Sequence, residues 1–179
     1  HKARNIVLDP VMVAASGAKL LQGEAIDAIR RHLFPLATLV TPNLPEAAAL
    51  LGSAPANTEA AIDDQADRLQ ALGSANVLIK GGHSAGMTST DLLLLAGGVR
   101  QRFSAPRHPT RNTHGTGCTL SSAIASSLAR GLALPDAVAQ AKTYITAAIA
   151  ASDTVPVGHG HGPVHHFHYW WDKPDGSQS

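Results

Sequence analysis

The stretch NTHGTGC, residues 112–118, holds the chain's single cysteine directly behind two glycines, where a helix is predicted to begin. Gly115 and Gly117 can adopt backbone angles closed to other residues, so that successive N–H groups can converge on one anion. A helix starting near Thr116 adds the partial positive charge of its N-terminus at the same place. Cys118 would lie in the first helical turn, where the thiolate form is favoured. The stretch therefore predicts an anion pocket with a reactive thiol at its rim.

Two other interpretations of these residues stay open at this point. A GxG sequence before a helix is common, and an ordinary capped turn with a small buried thiol has the same pattern. Cys118 is also a candidate nucleophile with His114 as its base, which would make the protein a cysteine hydrolase. A histidine beside a glycine turn is more often a solvated loop residue. The residues alone thus leave a phosphate pocket, a plain turn and a hydrolase as alternatives.

Polar residues follow three apolar runs that we predict to be buried parallel strands. Asp9 follows NIVL, and Lys80 follows VLI. Asn43 and Glu46 follow the run ATLV. Ligands of such sheets lie beyond the carboxyl ends of the strands. Asp9 and Glu46 suit Mg²⁺, which takes few protein oxygens beside substrate phosphates, and Lys80 before two glycines suits a phosphate. Each residue alone is equally typical of a turn, a first helical turn or a solvated loop end.

The elements that must position these residues alternate between strand and helix. This alternation predicts an α/β fold with a doubly wound, mostly parallel sheet, helices on both faces and a small β-hairpin excursion. A Gly-Gly turn between DLLLL and VRQRFSA is typical of the hairpin. The predicted strands are 5–8, ATLV and NVLI, and the predicted helices are 23–33, 44–52, 58–73, 116–130 and 135–152.

The composition and the charge of the chain indicate to which class of protein it belongs. The chain has 179 residues, 44% of them hydrophobic and 15% charged, which is typical of one globular domain. The net charge of +1, with no basic block, gives no support for binding to nucleic acid or to a membrane surface. A single cysteine excludes an internal disulfide, and a reducing cytoplasm is the simplest setting. No apolar run is long enough to span a bilayer.

The stretch GHGHGPVHHFH near the end of the chain contains five of the ten histidines. Its HxH spacing suggests a metal site. However, no cysteine or acidic residue joins the histidines of residues 159–168 before Asp172. We therefore favour a packed or substrate-covering loop over a metal centre.

Taken in order, DPVM, TPNLPEAAALLG, VLIKGGH, NTHGTGCTLSSAIAS and GHGHGPVHHFH closely resemble the hydroxymethylpyrimidine and phosphomethylpyrimidine kinases of thiamine biosynthesis. These enzymes belong to the ribokinase-like superfamily. The resemblance covers the chain from Asp9 to about Trp171. Family members have a glycine-rich segment and further substrate-binding residues before DPVM, and the chain does not start with Met. Residues 1–171 are therefore expected to be the C-terminal part of one kinase domain, and residues 172–179 a polar tail.

The resemblance implies a kinase that uses ATP and Mg²⁺. Its substrates would be the hydroxymethyl group of 4-amino-5-hydroxymethyl-2-methylpyrimidine and then the resulting monophosphate, which becomes the diphosphate. Carried over by motif, Glu46 in the pattern NxxE and Asp9 resemble the acidic residues near Mg²⁺ and the phosphates. The anion hole for the transferred phosphoryl group would be formed by Gly115, Thr116 and Gly117.

Further roles follow from the same resemblance. Cys118 stands where many sugar-kinase relatives have a catalytic aspartate. Val11 and Met12 resemble the apolar wall under the pyrimidine. The residues expected to contact the nucleotide are Lys80, Asn43 and Lys142.

The family resemblance still leaves alternatives. Some pyridoxal kinases share the GTGC arrangement, so pyridoxal or pyridoxine is the nearest competing substrate class. A non-catalytic domain that binds a small molecule on the same fold is the main rival of another class. The sequence does not fix the oligomeric state, and a homodimer is one assembly that it permits.

Overall fold

The computed structural model describes residues 3–12, 23–81, 86–155, 157 and 159–171. The polar tail predicted at residues 172–179 lies outside the described residues. Within them, five strands form one sheet in the order β1-β2-β3-β4-β5. The strands are β1 Val7–Leu8, β2 Leu39–Val40, β3 Val77–Ile79, β4 Thr88–Leu94 and β5 Arg100–Pro106.

The described sheet is mixed, which corrects the expectation of a mostly parallel sheet with a separate hairpin excursion. Strands β1, β2 and β3 pair in parallel, whereas β4 is antiparallel to β3, and β5 is antiparallel to β4. The predicted hairpin is β4 and β5, and it continues the same sheet. The reason is the length of the connection from Ile79 to Thr88. A parallel crossover needs a dozen or more residues, so a connection this short returns the chain antiparallel.

Five α-helices surround the sheet in the described part of the chain. The first, α1, keeps α-helical geometry only over Gly23–Ala28 and continues as a π-helical turn and a 3₁₀ turn that ends at Leu36. It was predicted as one helix over 23–33. The other four helices lie close to their predicted bounds: α2 Leu44–Leu51, α3 Glu59–Gln70, α4 Thr116–Ala129 and α5 Leu134–Ala150. No helix among the described residues is both long and apolar enough to cross a membrane.

Helices cover both faces of the sheet, as predicted. Successive side chains of a strand point to opposite faces, and β2 shows the consequence. Val40 packs in one core cluster with residues of α2 and α3, whereas Leu39 packs in a second cluster with residues of α4 and α5. In β3, Leu78 joins the cluster of Leu39, and Val77 and Ile79 join that of Val40. The short parallel strands are therefore buried on both sides, and the polar residues that follow them are held at one edge.

Candidate active site

One cavity of about 540 Å³ opens at the carboxyl ends of the parallel strands and at the start of α4. Of the predicted site residues, only Met12 and Gly115 are absent from its lining. Residues far apart in sequence therefore meet in one place. The predicted residues that line the cavity are Asp9, Val11, Asn43, Glu46, Lys80, Thr116, Gly117, Cys118 and Lys142.

A buried cluster of charges forms one wall of the cavity. The Nζ atom of Lys80 lies 2.6 Å from Oδ1 of Asp9 and 3.8 Å from Oε2 of Glu46. The hydroxyl of Thr41 also donates a hydrogen bond to Oδ1 of Asp9, at 3.1 Å. The exposed fractions of the Lys80, Asp9 and Glu46 side chains are 13%, 11% and 7%. One ammonium thus lies between two carboxylates, and the cluster has one negative charge in excess when all three groups are ionised.

The second carboxylate oxygen of Asp9 is an open acceptor. Oδ2 is buried and has no hydrogen-bond partner among the described residues. Buried polar atoms without a partner are rare in native proteins. An oxygen of this kind fits a cation or a donor group of a ligand, and it is the observation of this structure that fits a magnesium ion at Asp9.

Glu46 is fixed by the start of α2. Its Oε2 accepts the backbone N–H of Asn43 at 2.7 Å, while Oδ1 of Asn43 accepts the backbone N–H of Glu46 at 2.8 Å. This capping box explains the local sequence, because NxxE at a helix start satisfies two otherwise unpaired donors. Burial raises the pKa of Glu46 above its ordinary value, against the opposing effects of Lys80 and of the N–H groups of Asn43 and Met12. The negative charge of Asp9 raises the pKa of Glu46 further.

The two glycines before Cys118 serve different purposes. Gly115 precedes α4 with a φ of 82°, in the left-handed region that favours glycine. Gly117 lies inside the first turn of α4 and has no positive φ, so only Gly115 uses the conformational freedom that was considered for both glycines. A Cβ atom on Gly117 would lie 3.2 Å from Nζ of Lys80 and 3.5 Å from Oδ2 of Asp9. Gly117 therefore lets the helix start approach the charge cluster.

The start of α4 lines the cavity with Thr116, Gly117 and Cys118. The backbone N–H of Thr116 bonds back to the carbonyl of Thr113 at 3.3 Å. The N–H groups of Gly117 and Cys118 belong to the first helical turn, where no preceding helical carbonyl can accept them. These donors and the helix dipole favour an anion at this end of the cavity.

Cys118 is an exposed free thiol that lines the cavity, whereas His114 does not. The backbone of His114 pairs with the histidine-rich segment, since its N–H bonds to the carbonyl of Gly162 at 3.1 Å and its carbonyl accepts the N–H of Val164 at 3.3 Å. Among the described residues, no hydrogen bond joins the His114 ring to Cys118. The geometry therefore gives no support to a cysteine–histidine dyad.

The predicted apolar wall is divided between cavity and core. Val11 lines the cavity and is 39% exposed. Met12 is 4% exposed and packs in the same core cluster as Val40. Its backbone N–H, rather than its side chain, acts on the site, because it helps to lower the pKa of Glu46 against the effect of burial.

Sequence reasoning missed the lining residues that β4, β5 and the loop after them contribute to the cavity. Asp91 is the clearest omission: it is 3% exposed and binds Lys142, with 2.7 Å between Oδ2 and Nζ. An acidic residue at the head of the run DLLLL was the available signal, because a charge inside a buried strand needs a partner. The lining residues that were not predicted as site residues include Ser89, Asp91, Arg107, His108, Thr110 and Thr113.

The histidine-rich segment packs against α4 and α5. His165 is 8% exposed and contacts Trp171 with 4.8 Å between ring centroids. The ring of His166 hydrogen-bonds to the hydroxyl of Thr119 at 3.0 Å, and its carbonyl accepts the hydroxyl of Tyr144 at 2.8 Å. Across the described residues, no group of three or more His, Cys, Asp or Glu could hold a metal ion. Of the predicted packed or substrate-covering loop, these contacts show the packing.

The chain matches the family model described as phosphomethylpyrimidine kinase over residues 1–165. Similar curated proteins include the hydroxymethylpyrimidine/phosphomethylpyrimidine kinases of Rhizobium meliloti, 51% identical over 168 residues, and of Salmonella typhimurium, 52% identical over 171 residues. The matches cover 94% and 96% of this chain but 63% and 64% of those proteins. The chain thus spans a little under two thirds of the length of these relatives.

Solved structures show the same similarity. The pyridoxal kinase from Staphylococcus aureus in complex with ADP matches with a TM-score of 0.84 and 32% identity, over 94% of this chain and 60% of that one. Phosphomethylpyrimidine kinase from Clostridium difficile 630 matches with a TM-score of 0.66 and 37% identity, over 80% and 56%. The fold is therefore ribokinase-like. From the match over residues 1–165 and the identities near one half, the chain belongs to the phosphomethylpyrimidine kinase family.

Proposed function

We propose that the protein carrying this chain uses ATP to phosphorylate 4-amino-5-hydroxymethyl-2-methylpyrimidine and then its monophosphate, two steps of thiamine biosynthesis. The observation that supports this most strongly is a juxtaposition in one cavity. The donor-rich start of α4, with Gly117 and Cys118, lies against the buried cluster of Asp9, Glu46 and Lys80. Family membership supplies the substrate class.

The chemistry is in-line phosphoryl transfer, in which position and charge stabilisation do most of the work. The N–H groups of Gly117 and Cys118 would bind the terminal phosphate and stabilise the charge that develops on its equatorial oxygens. Lys80 would turn its ammonium from Asp9 toward the phosphates. Attraction to the Glu46 carboxylate, which lies 3.8 Å from Nζ, would hold the ammonium at the cavity wall.

Cys118 is positioned for the hydroxymethyl group. Its thiol lines the cavity beside the N–H groups that would hold the transferred phosphate. In the first phosphorylation Cys118 accepts the hydroxyl proton as a thiolate or orients the hydroxyl for attack. In the second, the substrate's own phosphate can accept that proton, so the thiol contributes less.

Magnesium would be held on the side of Asp9 and Glu46. The unpartnered Oδ2 of Asp9 is the acceptor that fits it. When bound, Mg²⁺ would neutralise phosphate charge. The protein's own part is to hold the two carboxylates still: Thr41 fixes Asp9, and the capping box with Asn43 fixes Glu46.

Pyridoxal phosphorylation is the second candidate function. A specific observation favours it: the pyridoxal kinase of Staphylococcus aureus in complex with AMP-PCP and pyridoxal matches with a TM-score of 0.84. Its sequence identity is 31%, against 51% and 52% for the pyrimidine kinases of Rhizobium meliloti and Salmonella typhimurium. The pyrimidine is therefore the preferred substrate in this proposal.

A competition assay separates these functions. The protein is incubated with ATP, Mg²⁺ and equal concentrations of the pyrimidine alcohol and pyridoxal, and the phosphorylated products are separated by mass. We expect the pyrimidine monophosphate and then the diphosphate to dominate. Pyridoxal phosphate as the main product would support the second candidate, and ATP-independent binding without any product would support a non-catalytic domain.

A further inference from the structure

A second buried ion pair, between Asp91 and Lys142, also lines the cavity. Lys142 projects from the middle of α5 and donates to Oδ2 of Asp91 at 2.7 Å and to the hydroxyl of Ser89 at 3.2 Å. Both acceptors come from β4, two residues apart, and therefore lie on the same face of that strand. The pair connects the helix to the sheet.

Burial makes this pair different from a surface salt bridge. The Lys142 side chain is 11% exposed, and that of Asp91 is 4% exposed. A lysine ammonium has three N–H donors, and two of them are used by Asp91 and Ser89. The third has no partner among the described residues, while Lys142 lines the cavity. The ammonium is thus held in place and retains one donor for a ligand.

Asp91 also fixes the strand end that carries Lys80. Its Oδ1 accepts the backbone N–H of Gly81 at 2.9 Å. A Cβ atom at Gly81 would lie within 1.8 Å of the carbonyl oxygen of Thr90, so β3 and β4 approach there more closely than any other residue would allow. One buried carboxylate therefore sets the position of the loop after Lys80 and of the Lys142 ammonium.

We infer that Asp91 is a positioning residue for nucleotide binding: it orients Lys142 so that the remaining N–H of the ammonium meets an acceptor oxygen of a bound nucleoside phosphate. The ligand's identity as a nucleotide rests on the proposed function, whereas the assignment of Asp91 comes from the contacts of the pair. Asp91 acts through its partners, since its two oxygens bind the Lys142 ammonium and the backbone N–H of Gly81.

The test is a double-mutant cycle read out as the Kd of ADP, measured by calorimetry on the whole protein. Asp91→Asn keeps an acceptor for Gly81 but loses the charge that orients Lys142. We expect it to raise the Kd about tenfold, a coupling typical of interacting neighbours. Lys142→Met should raise the Kd by a similar or larger factor. The double variant should bind ADP no more weakly than Lys142→Met alone, because Asp91 acts through Lys142.

Two controls separate positioning from folding. Asp67→Asn removes a carboxylate from an exposed ion pair with Arg100 and should leave the Kd unchanged. Ser89→Ala removes only the neutral partner of Lys142 and should raise the Kd about twofold to threefold. If Asp91→Asn fails to fold, the double variant can still contradict the inference by binding ADP more weakly than Lys142→Met, since it leaves neither charge unpaired in the interior. It should fold and bind ADP like Lys142→Met.

Three results would overturn the inference. The first is an unchanged Kd in a folded Asp91→Asn variant that is only less stable. The second is an additive loss in the double variant, which would mean that Asp91 acts independently of Lys142. The third is no ADP binding by the unmodified protein, which would also contradict the proposed use of ATP. ADP binding without any phosphorylation of the pyrimidine would overturn the proposed function alone.

Discussion

Two sets of ion pairs in this molecule use similar side chains in different surroundings. In the cavity, Lys80 lies 2.6 Å from Asp9, and the two side chains are 13% and 11% exposed. On the surface, Arg100 of β5 lies 2.5 Å from Asp67 of α3, and these side chains are 32% and 55% exposed. By distance alone, the two pairs are equivalent.

The two pairs differ in the free energy that is lost when one partner is removed and in the acceptor atoms that remain unpaired. Exposed pairs contribute little, because water already solvates both charges and salt screens them. Removing one partner of a buried pair strands the other charge in the interior. The cavity cluster also leaves Oδ2 of Asp9 unpaired, whereas each oxygen of Asp67 accepts a hydrogen bond from Arg100. Burial and an open acceptor, rather than a short distance, distinguish the cluster that we propose to be functional.

The largest effect is expected from Lys80→Met. The variant leaves Asp9 and Glu46 buried without their cation, so the free energy of unfolding should fall by about 3 kcal/mol. Turnover should fall on the order of 10³-fold, because the phosphates lose a charge-stabilising contact. Urea unfolding and a coupled ADP-release assay measure the two effects. Full activity in a folded variant would remove Lys80 from the site.

Cys118→Ser should have the next largest effect. It replaces an ionisable thiol with a hydroxyl of similar size, so the first phosphorylation should slow on the order of 10²-fold. The second should slow less, since the substrate phosphate can accept the proton. Single-turnover rates for the alcohol and for the monophosphate separate the two steps. Equal rates for variant and unmodified protein in both steps would mean that the thiol is structural.

Glu46→Gln tests the effect of burial through the pH dependence of the free energy of unfolding. Burial raises the pKa of Glu46 above 4.5 in the folded protein, so the folded state holds this proton more tightly than the unfolded state. Its contribution to stability is complete below the unfolded pKa and declines as pH rises through the raised value. Glutamine retains the capping box but does not ionise. The variant should therefore gain stability relative to the unmodified protein as pH rises above the ordinary pKa of glutamate, about 4.3.

The measurement is urea unfolding of both proteins at several pH values. Glu59→Gln is the matched control, because Glu59 is also in the first turn of a helix but its side chain is 83% exposed. A stability difference for Glu46→Gln that stays constant with pH would contradict the role of burial.

The smallest effect is expected from Arg100→Met, the surface counterpart of Lys80→Met. It removes the partner of Asp67, but the Asp67 carboxylate stays exposed to water. The free energy of unfolding should change by less than about 1 kcal/mol, and turnover should not change. A loss as large as that of Lys80→Met would show that burial does not distinguish the two sets of pairs.

Much of the fold could be predicted because local signals agreed. The helix predicted at 44–52 agrees with α2, and the short apolar runs identified the three parallel strands. The direction of β4 was harder to predict. Its pairing depends on the length of the connection after Ile79, which has to be weighed against the general preference of alternating elements for parallel sheets.

Some residues of the site could likewise be predicted from the sequence, whereas others could not. Asp9, Glu46, Lys80 and the GTGC stretch follow strand ends or open a helix, so their chemistry was visible in the sequence. Asp91 lies inside a strand, and its contact with Lys142 joins two parts of the chain that are far apart in sequence. The purposes of the two glycines could not be separated either, because the approach of Lys80 to Gly117 is a contact between distant parts of the chain.

The most direct test of the central claim is a crystal structure with AMP-PCP, Mg²⁺ and the pyrimidine alcohol. We expect the terminal phosphate to bind the N–H groups of Gly117 and Cys118, with Lys80 turned toward it. The hydroxymethyl oxygen should lie between that phosphate and the Sγ atom of Cys118. Phosphates bound away from the start of α4, or a hydroxymethyl group that faces away from Cys118, would contradict the assignment of this cavity to phosphoryl transfer.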